Sequence, residues 1–414
     1  MNRRRFLAAG AATLTACATP LGKAKPRLVV VGAGFGGATV AKYVASWDRG
    51  VDVTVVEQNE RFISCPISNL VLGGNRTMQD ITRSYDGLRK YGVELVRAQA
   101  LAIDAPKRTV TLAGGKSLSY DRLVLSPGVD FLFGEVQGYE AAGARVLHAW
   151  KAGEQTVALR GQLEAMPNGG VYVLSVPMAP YRCPPGPYER ACQVAHYFKQ
   201  AKPRSKVLVL DGNPDVTSKG PLFKRAWEDL YKGIIEYRPN ANVVAVDGAA
   251  MSVRTDFDTV KGDVLNIVPP QRAGDIAAKS GLITHNNRWC DVDWRTMESK
   301  AQPGVHLLGD ATLSAPGMPK SGHMANQHAK VCAAALVELL NGRAANPNPV
   351  MNNTCYSFVS DKEVIHVASV HQYDAGQNTL VAVKGAGGVS AARSELEGQY
   401  AWSWAQNIWA DMLA

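Results

Sequence analysis

Arg27-Leu28-Val29-Val30-Val31 runs directly into Gly32-Ala33-Gly34-Phe35-Gly36-Gly37. A continuous apolar run of this kind belongs to a strand buried on both faces. Each glycine then has its own task. Gly32 permits a tight turn, Gly34 lets the backbone approach a pyrophosphate, and Gly37 allows a helix to pack closely. Ala38 to Ser46 reads as that helix, whose N-terminus offers amide hydrogens and a favourable dipole to a phosphate. Val51-Asp52-Val53-Thr54-Val55-Val56 reads as the second strand and ends at Glu57, a carboxylate able to accept hydrogen bonds from an adenosine ribose. A lone GxGxxG is weak, but strand, glycines, helix, strand and terminal acid together define a dinucleotide-binding βαβ unit.

Two distant segments specify the dinucleotide. Tyr120-Asp121-Arg122-Leu123-Val124-Leu125-Ser126-Pro127-Gly128 resembles the strand and turn that return beside the first strand in flavoproteins with two dinucleotide folds. Gly304-Val305-His306-Leu307-Leu308-Gly309-Asp310-Ala311 resembles their late strand, in which Asp310 meets the ribityl and phosphate region of FAD. The expected fold is therefore α/β, with two Rossmann-like domains of the disulfide-reductase-like flavoprotein kind and a small C-terminal α+β domain. The expected boundaries are a signal segment at 1–24, a discontinuous FAD domain at 27–140 and 265–345, a second Rossmann-like domain at 141–264, and a C-terminal domain at 346–414. The last begins where Asn346-Pro347-Asn348-Pro349 marks a change of composition.

The inserted unit is informative by what it lacks. Gly169-Gly170-Val171-Tyr172-Val173-Leu174-Ser175-Val176 predicts its first strand, after which a nicotinamide-binding domain carries a glycine-rich turn. Here the chain reads Pro177-Met178-Ala179-Pro180-Tyr181-Arg182-Cys183-Pro184-Pro185-Gly186-Pro187-Tyr188-Glu189. Prolines remove the backbone N–H donors that would cradle a pyrophosphate. No NAD(P) binding is expected.

The composition, with 46% hydrophobic and 20% charged residues in 414, supports large cores and excludes a disordered chain. The formal charge is +9. It falls to about +5 once the four cations Arg3, Arg4, Arg5 and Lys23 of the signal segment are set aside, a modest excess that suits an anionic substrate or an acidic partner. No basic stretch interleaved with aromatics is present, so nucleic-acid binding is not expected. Arg3-Arg4-Arg5-Phe6-Leu7 and the short apolar run to Cys17 fit a twin-arginine export signal, which implies a periplasmic protein folded around its cofactor before export. Leu14-Thr15-Ala16-Cys17 also resembles a lipobox. Lipidation of Cys17 and cleavage near Ala18 or Ala24 both stay open, and membrane contact is expected only in the first case.

Seven cysteines occur, and none are spaced CxxC, so no metal site and no covalent haem are expected on this chain. Cys192, Cys290 and Cys332 read as small buried hydrophobes. Cys65, in Ser64-Cys65-Pro66-Ile67-Ser68-Asn69, follows the acid-ended second strand. Cys183 opens the proline-rich loop, and Cys355 sits in Asn353-Thr354-Cys355-Tyr356-Ser357.

With these residues in view, the chain resembles the flavoprotein subunit of flavocytochrome c sulfide dehydrogenase from about Arg27 to its C-terminus. The motifs that carry the resemblance are His148-Ala149-Trp150-Lys151-Ala152-Gly153-Glu154-Gln155-Thr156, Arg182-Cys183-Pro184-Pro185-Gly186-Pro187-Tyr188-Glu189-Arg190-Ala191, Pro269-Pro270-Gln271-Arg272-Ala273-Gly274, Met318-Pro319-Lys320-Ser321-Gly322, Asn353-Thr354-Cys355-Tyr356-Ser357 and Tyr400-Ala401-Trp402-Ser403-Trp404. The resemblance implies that Cys65 carries FAD as a thioether and that Cys183 and Cys355 form a redox-active disulfide. It also implies that Glu189 lies near that pair as a proton acceptor and that Trp404 lies near the flavin. Pro66, Cys192 and His323 depart from the residues usual in the family.

The implied activity is oxidation of sulfide to sulfur or polysulfide. Hydrosulfide attacks a disulfide sulfur, leaving a persulfide on one cysteine and a thiolate on the other. Two electrons then pass to FAD and onward to a haem on a c-type cytochrome subunit. Two other readings fit the same residues: a sulfide:quinone oxidoreductase, and an accessory redox flavoprotein of a sulfur-oxidising complex.

Overall fold

The computed structural model describes residues 24–414; Arg3, Arg4, Arg5, Cys17 and the rest of the expected export signal up to Lys23 lie outside the described residues. Along the chain come β1 (Arg27–Val31), α1 (Phe35–Trp47), β2 (Asp52–Glu57), β3 (Glu94–Arg97) and β4 (Arg122–Leu125). Then follow β5 (Val146–Leu147), β6 (Val171–Val176), α2 (Gly186–Ala201), β7 (Lys206–Asp211), α3 (Gly220–Tyr231), β8 (Ile235–Arg238) and β9 (Val264–Asn266). The chain continues through β10 (Val292–Asp293), β11 (Glu298–Ser299), β12 (Val305–Leu307) and α4 (Gly322–Leu340). It closes with β13 (Val350–Phe358), β14 (Val364–Asp374), β15 (Thr379–Val389) and α5 (Glu395–Leu413).

The first sheet has seven strands in the order β10-β11-β12-β4-β1-β2-β3, parallel from β12 to β3. Strand β1 sits at the centre of the five parallel strands, and Leu28 to Val31 are all buried. Each such aliphatic side chain contributes roughly 1.5–3 kcal/mol through removal from water. The late strand β12 pairs with β4, Leu307 opposite Leu125, so residues far apart in sequence meet at one sheet edge. The second sheet, β5-β9-β6-β7-β8, is parallel throughout. Both sheets direct the carboxyl ends of their central strands towards one crevice, where ligands of open α/β sheets bind.

The glycine turn folds as its residue types require. Gly32 takes φ +87°, and a Cβ there would lie 2.5 Å from the Ser126 carbonyl oxygen. A Cβ on Gly37 would lie 1.7 Å from the Gly32 carbonyl oxygen, so α1 can seat against β1 only with glycine at that position.

The C-terminal strands β13-β14-β15 form an antiparallel sheet. They and α5 share a hydrophobic core with the first sheet: Met351, Leu380, Trp409 and Met412 pack in the same cluster as Val40, Leu88 and Met324. The consequence is positional. Cys355 on β13 and Trp404 on α5 are carried over the crevice between the two parallel sheets. Among the described residues, no helix is long and apolar enough to cross a membrane, and no group of three or more His, Cys, Asp or Glu side chains is placed to hold a metal.

Candidate active site

The crevice holds a cavity of about 470 Å³ whose lining includes Gly34, Glu57, Cys65, Arg182, Cys183, Glu189, Gly309, Asp310, Cys355 and Trp404. It adjoins a second cavity of about 310 Å³, and the two share Glu57, Asn59, Arg61 and Tyr85. Of the expected site residues only Gly32 and Gly37 do not line the larger cavity, and they shape the turn behind it.

The residues present fit FAD. A Cβ on Gly34 would meet no protein atom within 4 Å, which leaves backbone open to an approaching group. Gly34 caps α1 without a side-chain partner and no acid occupies the first turn, so the helix N-terminus is free for a phosphate. Glu57 Oε2 accepts from the Ala33 N–H at 2.8 Å and Oε1 from the Asn59 N–H at 2.8 Å, fixing the carboxylate at the end of β2. Asp310 Oδ1 is buried without a protein partner, an acceptor awaiting a ligand hydroxyl. Burial holds the Asp310 carboxyl above its usual range, opposed by Arg182 and Lys320.

Cys65 lies in a sharp loop between a short strand and the helix Ser68–Leu72. Its carbonyl accepts from the Ser68 hydroxyl at 2.6 Å, and Ile67 adopts φ +76°. The Pro66 carbonyl accepts from the Ser64 hydroxyl at 2.9 Å, so proline at 66 is built into a closed turn. The Cys65 sulfur accepts from the Ala152 N–H at 3.4 Å, and the Arg182 charge lies near enough to feel it.

The proline-rich loop delivers Cys183 to the N-terminus of α2. Cys183 adopts φ +59°, a left-handed conformation costly for a residue with a Cβ. It is held there by its N–H donating to the Lys320 carbonyl at 2.8 Å and by its carbonyl accepting from the Gly186 N–H at 2.8 Å. The packing leaves no slack, since a Cβ on Gly186 would lie 2.9 Å from the Cys183 sulfur. Cys183 and Cys355 both stand as thiols in the structure. They are close enough to interact electrostatically. Burial, then Cys355 and Glu189, push the Cys183 thiol far above the ordinary range.

Glu189, on the first turn of α2, is buried. Its Oε2 accepts from Asn69 Nδ2 at 2.8 Å and its Oε1 from the Phe358 N–H at 2.8 Å. Burial raises its pKa while these two donors oppose the rise, so the carboxyl can hold or release a proton near the sulfur pair. Arg190 beside it donates to Asn69 Oδ1 (3.0 Å), the His148 carbonyl (2.9 Å) and the Ala149 carbonyl (2.8 Å). One guanidinium thereby ties the Cys65 loop, the 148–150 segment and α2 together. Trp404 packs against His323 (ring centroids 5.9 Å) and Tyr356 (6.2 Å) at the far wall.

The sequence reading passed over Asn69, Arg182 and Lys219. The first two stand in quoted motifs, but nothing local tells a cavity-lining amide or guanidinium from a surface one. Lys219 belongs to Ser218-Lys219-Gly220-Pro221, which announces a helix start and nothing about burial. Cys192, Cys290 and Cys332 are buried outside this cavity, and Cys192 accepts from Trp227 Nε1 at 3.3 Å.

Fold and cavity together define a flavoprotein of the pyridine nucleotide-disulphide oxidoreductase class, whose description matches residues 26–160. The structure superposes with a TM-score of 0.77, at 19% identity, on the sulfide:quinone oxidoreductase of the hyperthermophilic bacterium Aquifex aeolicus, covering 94% of this chain and 91% of that one. Two narrower descriptions match the remainder: the central part of the sulfide dehydrogenase [flavocytochrome c] flavoprotein chain at residues 156–269, and the flavin-binding part of flavocytochrome c sulphide dehydrogenase at residues 347–413. The flavoprotein chain of sulfide dehydrogenase [flavocytochrome c] from Chlorobaculum thiosulfatiphilum is 53% identical over 45 residues, which are 94% of that sequence and 11% of this one. The chain belongs to the family of flavocytochrome c sulfide dehydrogenase flavoprotein chains. It is also 24% identical over 307 residues to the mitochondrial sulfide:quinone oxidoreductase of Mus musculus, a match that spans 69% of this chain and 65% of that relative.

Proposed function

We propose that this chain oxidises sulfide at the Cys183–Cys355 pair beside FAD and passes the electrons to a c-type cytochrome. The observation that carries the reading is the meeting of Cys65, Cys183, Cys355 and Glu189 in one cavity whose remaining wall fits FAD. When bound, FAD supplies a two-electron acceptor; the chain supplies the sulfur chemistry. Hydrosulfide opens the disulfide of Cys183 and Cys355, one sulfur taking the persulfide and the other leaving as thiolate. Glu189 takes the proton from the persulfide when that sulfur later ionises. Cys65, held by Ala152, is the thioether attachment point.

Nicotinamide has no part in this scheme. The segment between β6 and α2 carries four prolines and presents Cys183 where a glycine turn would bind phosphate. The protein acts in the periplasm after twin-arginine export. A second reading, reduction of a quinone in place of a cytochrome, is favoured by the resemblance to the mouse enzyme and the superposition on the Aquifex aeolicus structure.

Anaerobic stopped-flow and steady-state assays test the scheme. Sulfide should reduce the flavin, cytochrome c should reoxidise it faster than a quinone analogue, and acid precipitation should leave the flavin on the wild-type protein but not on Cys65→Ala. Cys355→Ser should fold, retain flavin and lose sulfide-dependent turnover by orders of magnitude. Near-normal reduction by sulfide in that variant would exclude the cysteine-pair mechanism, and a preference for quinone would select the second reading.

A further inference from the structure

Among the described residues, the buried cation Lys219 hydrogen-bonds only neutral groups. Its Nζ donates to Ser357 Oγ at 2.7 Å, to the Cys355 carbonyl at 3.0 Å and to the Ile365 carbonyl at 3.4 Å. Its backbone is also forced, with φ +57° at the residue that caps α3. A buried ammonium without an anionic partner is expensive, and such charges persist where an anion arrives or forms.

The strand geometry says where that anion forms. Cys355 and Ser357 are two apart on β13, so their side chains share one face of the sheet. The ammonium, bonded to the Ser357 hydroxyl, therefore sits on the face that carries the Cys355 sulfur. That sulfur accepts from Asn353 Nδ2 at 3.3 Å, whose amide oxygen is in turn fixed by the Ser321 hydroxyl at 2.7 Å. Among the described residues no donor hydrogen-bonds the Cys183 sulfur, which instead feels the Arg182 charge.

We infer that Lys219 is an electrostatic positioning residue that makes Cys355, and not Cys183, the sulfur that carries the negative charge when the pair is reduced. The inference deepens the sulfide-oxidation reading and names how the site divides the two sulfurs. In the balanced step, disulfide and HS⁻ give one persulfide, one thiolate and no free proton; Lys219 lowers the energy of the thiolate at Cys355. The other ionisable groups facing this corner are Glu189 on α2, Arg182 and Cys183 in the loop before it and Glu397 on α5. Burial depresses Lys219 to about 8, partly offset by Cys355, then Glu189 and Cys183. Burial raises Cys355, with Lys219 the foremost opposing influence, followed by Asn353 and Ser321. Glu189 acts against the thiolate at both sulfurs; Lys219 favours it at both, but stands foremost among the opposing influences at Cys355 and behind Arg182 at Cys183.

The test is competitive alkylation of the anaerobically reduced holoprotein with limiting iodoacetamide at pH 8, with the two cysteine-bearing peptides quantified by mass spectrometry. Cys355 should be modified at least tenfold faster than Cys183 in the wild type. Lys219→Gln keeps N–H donors without the charge and should cut that ratio about tenfold, whereas Lys219→Arg should restore most of it. A structural role alone would shift the melting temperature and leave the ratio in place. Equal or reversed rates in the wild type would overturn the inference without any variant, as would a Lys219→Gln ratio within twofold of the wild type. The measurement reads thiols and not turnover. A chain that failed to oxidise sulfide would still give the ratio, so the two readings fail separately.

Discussion

At the scale of single residues, the crevice is dominated by charges removed from water. Lys320 is the sharpest case. Its Nζ donates to the carbonyls of Asp310, at 3.0 Å, and Thr312, and lies 3.7 Å from the centre of the Trp289 ring. Burial depresses its pKa to about 7, with Asp310 the foremost opposing influence. An unfolded lysine titrates near 10.5, so between pH 7 and that value the unfolded chain binds a proton the folded chain does not. Stability from this group is thus present at high pH and is lost as pH falls towards 7. Urea unfolding of the wild type should show a contribution of about 1 kcal/mol per pH unit between pH 7 and 8.5 that Lys320→Met lacks. Parallel stability curves for the two proteins over that window would show that Lys320 stays charged in the folded state.

At the scale of elements, the β1–α1 turn and α2 represent opposite limits of what a sequence discloses. The turn was legible because its demands are local. Gly32 must take a positive φ, and Gly37 must lack a Cβ that would meet the Gly32 carbonyl oxygen at 1.7 Å. Gly37→Ala should therefore displace α1 from β1. We expect a loss of roughly 1–3 kcal/mol from overpacking, and weakened FAD retention, read by flavin absorbance after gel filtration. A variant with wild-type flavin content and melting temperature would show that the turn relaxes more easily than its geometry implies. Helix α2 was legible only as an odd motif. Glu189 and Arg190 gain their meaning from partners on other elements: Asn69 on the helix after the Cys65 loop, Phe358 on β13, and the carbonyls of His148 and Ala149. Lys219 was invisible for the same reason, because its three acceptors lie on β13 and β14. Periodicity and turn chemistry report on neighbours in sequence, whereas an active site is made of neighbours in space.

For the whole molecule, the same distinction governs how the C-terminal segment is joined to the rest. Its changed composition suggested a separate small domain at 346–414, but composition does not reveal which core a strand helps to fill. Met351, Phe358, Leu380, Trp409, Met412 and Leu413 pack in one continuous cluster with the strands and helices of the first sheet. The end of α5 is latched to the N-terminal region: Tyr43 donates to Asp411 Oδ1 at 2.5 Å and Tyr91 to the Ala414 carbonyl at 3.0 Å. Gly87 lies so near the Leu413 carbonyl oxygen that a Cβ would approach to 1.8 Å. A chain ending at residue 345 would leave the α1 and α4 surfaces uncovered, an apolar patch of the kind soluble monomers avoid. It would also lose Cys355 and Trp404 from the cavity and the Phe358 N–H from Glu189. Expressed in that form, the protein should aggregate or elute without flavin even though every strand of both parallel sheets is intact. Analytical gel filtration with absorbance at the flavin band checks this. A soluble, monomeric, yellow 1–345 protein melting within a few degrees of the full chain would show that the first sheet closes its core unaided. Failure of the truncated form would instead mean that the segment bearing the second cysteine is a structural wall of the flavin domain. The distance between the two sulfurs would then be set by the same core that holds FAD.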